Sequence, residues 1–325
     1  MGAKLLGIGS YLPEKILTNK DLEKMVDTSD EWITTRTGIK ERRVSSPSQA
    51  SSDLGYQASL KAIENAGIVK ESIEMIITAT ITPDMFFPST ACIIQEKLGL
   101  DNIPCFDLSS ACAGFIYGLE IARSFIDSGK YSTILVIATD CMSKVTDYTD
   151  RSTCILLGDG SAAAVVGKSK DDIGILDSYL GASGKYARLL YMPAGGSRQP
   201  ASIETVTQRL HYMKMEGSAV YKVAVTSMVD AVNVVLKKAG LSKDDISLFI
   251  PHQANLRIIQ AIGKTLDVPM EKIFVNIEKY GNMSAASVGV AFDEAIRNEK
   301  IKNGDTICMV SFGSGFTWAS NIIKL

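Results

Sequence analysis

Three short stretches carry side chains suited to chemistry at a carbonyl group. In SSACAGF (109–115) a single thiol, Cys112, stands among residues with almost no side chain, after the apolar run IPCFDL and before the amphipathic IYGLEIARSFIDSG. The Ala-Gly pair that follows it predicts a helix running to about Ser128 and stopped by Gly129. A thiol at a helix N-terminus meets free backbone N–H groups and the positive end of the dipole, which favours the nucleophilic thiolate. Ser110, Ala111, Ala113 and Gly114 would let a substrate carbonyl approach the sulfur closely. A small buried packing cysteine has the same neighbours, so on these residues alone both readings stand.

The second stretch is PHQANLRI (251–258), where a buried strand predicted over 246–250 ends at Pro251 and hands over to His252, Gln253 and Asn255. Open α/β sheets present ligand-binding groups at such strand ends, although a structural imidazole would suit the position equally. The other histidine, His211 in RLHYMKM, has no strand-end setting. The third stretch is YGNMSAAS (280–287), which places Asn282 in a turn between KIFVNI (272–277), read as a strand, and a helix expected to start near Ser284. Taken singly, an Asn there reads as a helix cap.

The elements that must position these groups come in pairs. AGIVKESIEMII (66–77) returns as AGLSKDDISLFI (239–250), IPCFDL (103–108) as KIFVNI (272–277), and LGDGSAAAVVG (157–167) as FGSGFTWASNI (312–322). Three pairs in one order point to an internally duplicated α/β chain. The expected seam is KSKDD (168–172), giving halves 1–170 and 171–325. On this reading the Asn282 turn is the counterpart of the Cys112 turn, and the two face each other across a pseudo-twofold axis. Continuous apolar strands such as IEMIITATI and YSTILVIAT predict sheets covered by helices on both faces.

Composition narrows the classes. The 325 residues contain 34 Lys plus Arg against 36 Asp plus Glu, a net charge of -2 that disfavours a nucleic-acid-binding surface. Six cysteines without CxxC spacing read as reduced buried thiols rather than disulfides or zinc ligands, Cys308 among them as a strand-core residue, and no metal is expected. No apolar run approaches the ~20 residues of a membrane span. The start MGAKLLGIGSYLP turns polar too soon for a signal peptide, and Leu6 stands where a myristoylation motif wants Ser or Thr. A cytoplasmic protein with no membrane partner is the expectation.

SSACAGF, PHQANLRI, YGNMSAAS and FGSGFTW, in this order, resemble the active-site blocks of the β-ketoacyl-acyl carrier protein synthase III family. YLPEKILTNKDLEKMVDTSDEWITTRTGIKERR resembles it too, and the likeness extends over essentially the whole chain. The resemblance implies a thiolase-like fold of two duplicated halves in an α-β-α-β-α layering. It implies that Cys112 accepts a short acyl group from coenzyme A, that malonyl-acyl carrier protein then loses carbon dioxide, and that the resulting carbanion attacks the acyl carbonyl. His252 and Asn282 would hold the enolate oxygen, and the backbone N–H groups of Cys112 and Ser314 the second oxyanion. Position 314 is commonly Gly in the family. Asn282 in the third place points to the initiating Cys-His-Asn type rather than the elongating Cys-His-His type.

The spacing Thr28-x-x-Glu31 predicts a capping box and a short helix ended by Gly38, with Trp32 and Arg36 one turn apart on one face. The resemblance assigns that pair to the adenine of coenzyme A, with Thr28 and Arg151 beside it. It assigns Phe87, Met213 and Met215 to the acyl pocket, with Phe87 closing it across a homodimer interface. Lys222, Gln253, Arg257 and Lys264 would meet the acidic carrier protein. No cofactor is implied, coenzyme A arriving as a substrate thioester. Other readings are a same-fold condensing enzyme with another starter, a non-catalytic acyl-binding subunit, and a thioester hydrolase using the same thiol.

Overall fold

Along the strand Thr133–Cys141, Ile134, Val136 and Ala138 face one apolar core while Leu135 and Ile137 face another. A strand buried on both sides belongs in the middle of a sheet with helices on each face. The computed structural model, which describes residues 2–169 and 173–325, places it there. Met75–Ala79 pairs with it in parallel and Asp159–Ser169 in antiparallel, while Cys105–Leu108 and Gly2–Tyr11 close the two edges. Part of the expected seam at 168–172 falls outside the described residues, as does Met1.

The second sheet repeats that order and sense with Gly174–Ala182, Thr317–Lys324, Thr306–Gly313 and Leu248–Pro251. Its fifth member is where the sequence reading fails. The segment 272–277, read as a strand, keeps one bridge, Phe249 with Ile273, and one bond, Phe274 N–H to the Phe249 carbonyl at 2.9 Å. The next donors go elsewhere: Gln253 Oε1 accepts from Asn276 N at 3.0 Å and Ile277 N at 3.2 Å. A buried side chain has taken the N–H groups that a strand would need.

The helices Gly114–Asp127 and Ala286–Arg297 fill the space between the sheets, with Phe115, Leu119, Val288 and Phe292 in one continuous core. Ser51–Ala66 and Thr90–Leu98 cover the outer face of the first sheet, and Gly217–Ala239 and Leu256–Leu266 that of the second. The result is the expected five-layer architecture. One helix among the described residues, Gly217–Ala239, is long and apolar enough by composition to cross a bilayer. Lys222 and Asp230 interrupt its apolar run in the sequence. Its Ala224, Met228, Ala231 and Val235 pack on the second sheet, where each large apolar side chain contributes roughly 1.5–3 kcal/mol.

Candidate active site

Between the strand Cys105–Leu108 and the helix Gly114–Asp127 the chain makes a single 3-10 turn, Ala111–Ala113. Ala111 takes φ +46°, a left-handed conformation that crowds a Cβ. The turn is held from the other half: Ser311 Oγ donates to the Cys112 carbonyl at 2.6 Å, and Thr317 Oγ1 donates to the Ser110 carbonyl at 2.7 Å. At Gly313 a Cβ would lie 2.5 Å from the Cys112 nitrogen, so only glycine lets the two backbones approach. The thiol is buried and donates to Ser284 Oγ at 3.7 Å.

The thiolate expectation needs correction. The helix begins at Gly114, two residues beyond the thiol, and burial pushes Cys112 up to about 12. Loss of solvation outweighs the helix end, and Cys112 rests protonated. His252 follows the strand Leu248–Pro251 and is fixed by its own N–H to the Val310 carbonyl at 2.8 Å. Neither ring nitrogen has a partner among the described residues, and burial pulls the imidazole down to about 3. It is a neutral imidazole, with one N–H to donate and one lone pair to accept.

Asn282 is not a helix cap, because the helix starts at Ala286 and Ala285 precedes it without a side-chain cap. Its Oδ1 accepts from Ser284 N at 2.9 Å, and its backbone is tied to the first half by Asn282 N to Leu156 O at 2.8 Å and Gly158 N to Asn282 O at 2.9 Å. The Nδ2 donors carry no bond among the described residues and remain available.

Two cavities meet at Cys112 and Asn282. One, of about 380 Å³, is mainly apolar and includes Ile81, Met142, Met213, Met215 and Ser314 in its wall. The other, of about 260 Å³, passes His252 toward Arg36 and Arg257. Met213 and Met215 belong to an arch whose short strand Lys214–Met215 pairs with Leu190–Tyr191. Arg209 anchors the arch to buried Asp147 at 2.5 Å, and that pairing holds the carboxyl well below its usual range. Ser314 Oγ donates to the Leu190 carbonyl at 2.5 Å, which ties the nucleophile side to the arch.

The remaining sequence expectations divide. The helix Asp30–Thr37 ends at Gly38 as expected, but its N-cap is Ser29, whose Oγ accepts from Trp32 N at 3.1 Å. Thr28 is left with a buried hydroxyl that has no partner among the described residues. Arg151 lies over the Trp32 ring at 4.9 Å, nearer than Arg36 at 5.6 Å, so the indole faces two guanidinium groups. Gln253 cannot be a surface contact. It is fully buried, donating to Pro251 O and Phe274 O while accepting from Asn276 and Ile277, and it braces the His252 loop. Lys264 is exposed, and Lys222 lines a separate hollow with Tyr186 and Trp318. Phe87 is 85% exposed and lines neither cavity of this chain.

Sequence reasoning missed Asp140, Ser284, Ser311 and Gly313. Ser284 was legible as part of YGNMSAAS and Gly313 as part of FGSGFTW; Asp140 and Ser311 required knowing which strand ends converge.

Residues 106–184 match the family model described as 3-Oxoacyl-[acyl-carrier-protein (ACP)] synthase III, and residues 236–325 match its C-terminal model. The beta-ketoacyl-[acyl-carrier-protein] synthase III of Caldanaerobacter subterraneus subsp. tengcongensis is 58% identical over 324 residues, covering 100% of this chain and 98% of that protein. The chain belongs to the 3-oxoacyl-[acyl-carrier-protein] synthase III family. The synthase III of Clostridioides difficile is 53% identical over 322 residues, with 99% and 98% of the two chains covered. The crystal structure of the Aquifex aeolicus synthase III superposes with a TM-score of 0.92 at 47% identity over 100% of both chains. Membership makes this chain a condensing acyltransferase that initiates fatty acid synthesis, on the thiolase-like fold.

Proposed function

We propose that Cys112, His252 and Asn282 divide the two half-reactions of a decarboxylative condensation between acyl-coenzyme A and malonyl-acyl carrier protein. The observation that carries this reading is the meeting of two cavities at one buried thiol, with a partnerless imidazole and a free amide Nδ2 beside it. Cys112 attacks the thioester and retains the acyl group, which extends into the cavity walled by Met213 and Met215. Coenzyme A leaves along the cavity that runs past Arg36 and Arg257, its adenine against Trp32 with Arg36, Arg151 and Thr28 around it. The family synthases act on a coenzyme A thioester as substrate, and no bound cofactor is needed.

In the second half-reaction malonyl loses carbon dioxide and leaves an enolate, which His252 and Asn282 stabilise by donating hydrogen bonds. A neutral imidazole suits that task, since it donates without supplying a competing proton. The acyl oxyanion is held by the backbone N–H groups of Cys112 and Ser314. Arg257 and Lys264, with Lys222 further off, supply positive charge for the carrier protein. Phe87 is set to complete the acyl pocket of a second copy, which makes the homodimer the working unit.

Incubation of the pure protein with acetyl-coenzyme A and malonyl-acyl carrier protein tests the reading. Acetoacetyl-acyl carrier protein is the expected product, with an acetyl adduct on Cys112 when malonyl is withheld. Free acid in place of a condensation product, with any short acyl starter, would overturn it.

A further inference from the structure

One buried carboxylate beside the thiol has no part in the roles given above. Asp140, at the end of the strand Thr133–Cys141, is fully buried. Its two oxygens are treated unequally. Oδ1 accepts four hydrogen bonds, from Ile81 N at 2.8 Å, Thr82 Oγ1 at 2.9 Å, Thr80 Oγ1 at 3.0 Å and Thr82 N at 3.1 Å. Oδ2 accepts one long bond from the backbone, Ala285 N at 3.3 Å, and lies on the side of Ser284. Four donors saturate Oδ1, which leaves Oδ2 as the atom where a proton can bind.

Ser284 connects that oxygen to the sulfur. Its Oγ accepts from Cys112 Sγ at 3.7 Å, and Asp140 Oδ2 holds the N–H of the very next residue, Ala285, at 3.3 Å, where the Ser284 hydroxyl favours the charged carboxylate against the upward push of burial. The residue is placed there at a cost, since φ of +51° is left-handed for a residue with a Cβ. Asn282 Oδ1 fixes its N–H at 2.9 Å, and Asp140 Oδ2 fixes the next one. The backbone thus sets one hydroxyl beside the thiol, one residue from the N–H that the carboxylate holds.

We propose that Asp140, acting through the Ser284 hydroxyl, accepts the Cys112 proton as the thiol attacks. The S–H bond breaks and its proton joins Ser284 Oγ, while the Ser284 hydroxyl proton joins Asp140 Oδ2. The electron pair left on sulfur forms the bond to the thioester carbonyl carbon. When the carbon–sulfur bond to coenzyme A breaks, the proton returns from Asp140 through Ser284 to the departing thiolate. Burial raises both acids above their ordinary values, so the proton moves between two desolvated groups rather than out to solvent. The other titratable groups facing the pair are His252, in the cavity it shares with Cys112, and Cys141, next to Asp140; Arg36 and Arg257 line the far part of the His252 cavity. The relay frees His252 to remain a neutral donor through both half-reactions. It rests on Cys112 being the nucleophile.

The test is the rate of Cys112 alkylation by iodoacetamide across neutral pH, located by mass spectrometry, in the wild type and in Asp140→Asn and Ser284→Ala. The relay predicts that each variant alkylates at least tenfold more slowly near neutral pH, that the double variant is no slower than either, and that the dependence on pH steepens in all three. A mere neighbouring charge predicts the opposite sign for Asp140→Asn, because removing a negative group beside a thiol favours its ionisation. Alkylation of Asp140→Asn as fast as or faster than the wild type would overturn the relay. Ser284→Ala keeps Asp140 and its Oδ1 donors, so a slow Asp140→Asn caused by misfolding would be exposed by a Ser284→Ala variant that reacts at the wild-type rate. Wild-type protein that takes neither iodoacetamide nor an acyl group at Cys112 would sink the nucleophile assignment instead, a different result.

Discussion

The turn that carries Cys112 and the turn that carries Asn282 occupy matching places in the two halves, the first between the edge strand Cys105–Leu108 and the helix Gly114–Asp127, the second between the segment 272–277 and the helix Ala286–Arg297. Each contains one left-handed residue with a side chain, Ala111 at φ +46° and Ser284 at φ +51°. Each is also held by the opposite half: Ser311 and Thr317 fix the Cys112 turn, while Leu156, Gly158 and Asp140 fix the Asn282 turn. The difference lies in what they present. The first offers a thiol backed by a complete five-stranded sheet, the second an amide and a hydroxyl beside a fifth strand reduced to one bridge. Duplication supplied the frame, and exchange of contacts across the axis turned two similar turns into unlike partners.

The largest effect should come from removing the nucleophile. Cys112→Ala is expected to lose condensation by at least ~10³-fold and to take no acyl group by mass spectrometry, while keeping its fold. An acyl adduct on any other cysteine would move the site. Next in size, His252→Ala and Asn282→Ala should each slow malonyl decarboxylation by about 10²–10³-fold and leave acylation of Cys112 within severalfold of wild type. Single-turnover measurement of each half-reaction separates the two, and equal losses in both would erase the division between the turns.

How much of this was legible in the sequence follows the same contrast. The motifs located the three reactive groups, and the repeated segments announced two matching halves. Periodicity could not show that 272–277 forgoes strand pairing, because Gln253, polar and read as a carrier-protein contact, is buried as the acceptor for that segment. Thr28 and Ser29 both suit an N-cap, and only the backbone decides between them. The pKa of Cys112 was misjudged because a helix end is visible in a sequence and the depth of burial is not. Asp140 is invisible at the end of an apolar strand until Ser284, from the other half, is set beside it.

The two sides also oppose each other in pH. His252 is pulled down to about 3 in the fold, against an ordinary value near ~6.5 in the unfolded chain. Its contribution is complete above that ordinary value and is lost as pH falls through the window toward about 3, since the unfolded chain binds the proton first. Cys112 behaves in reverse: held up to about 12, it stabilises the fold below the ordinary thiol value and loses that contribution as pH rises. Comparing urea unfolding near pH 7 and pH 5, His252→Gln should lose about 2 kcal/mol less than wild type on acidification. Identical losses would mean that the folded imidazole takes up its proton over the same range as the unfolded one, so that burial does not depress it.

The smallest effect concerns the clamps on the Cys112 turn, and it tests whether that turn is sealed. Ser311 is fully buried, so Ser311→Ala leaves the Cys112 carbonyl without a replacement donor and should cost about 1.5 kcal/mol in urea unfolding. Thr317 is only half-buried, and Thr317→Val preserves shape while letting water reach the Ser110 carbonyl, so about 0.5–1 kcal/mol is expected. Both variants should slow acylation more than decarboxylation, because both carbonyls belong to the nucleophile's turn. Equal costs for the two would mean that water does not enter at Thr317, and that the first turn is closed to solvent on the side where the second lies open to its substrate.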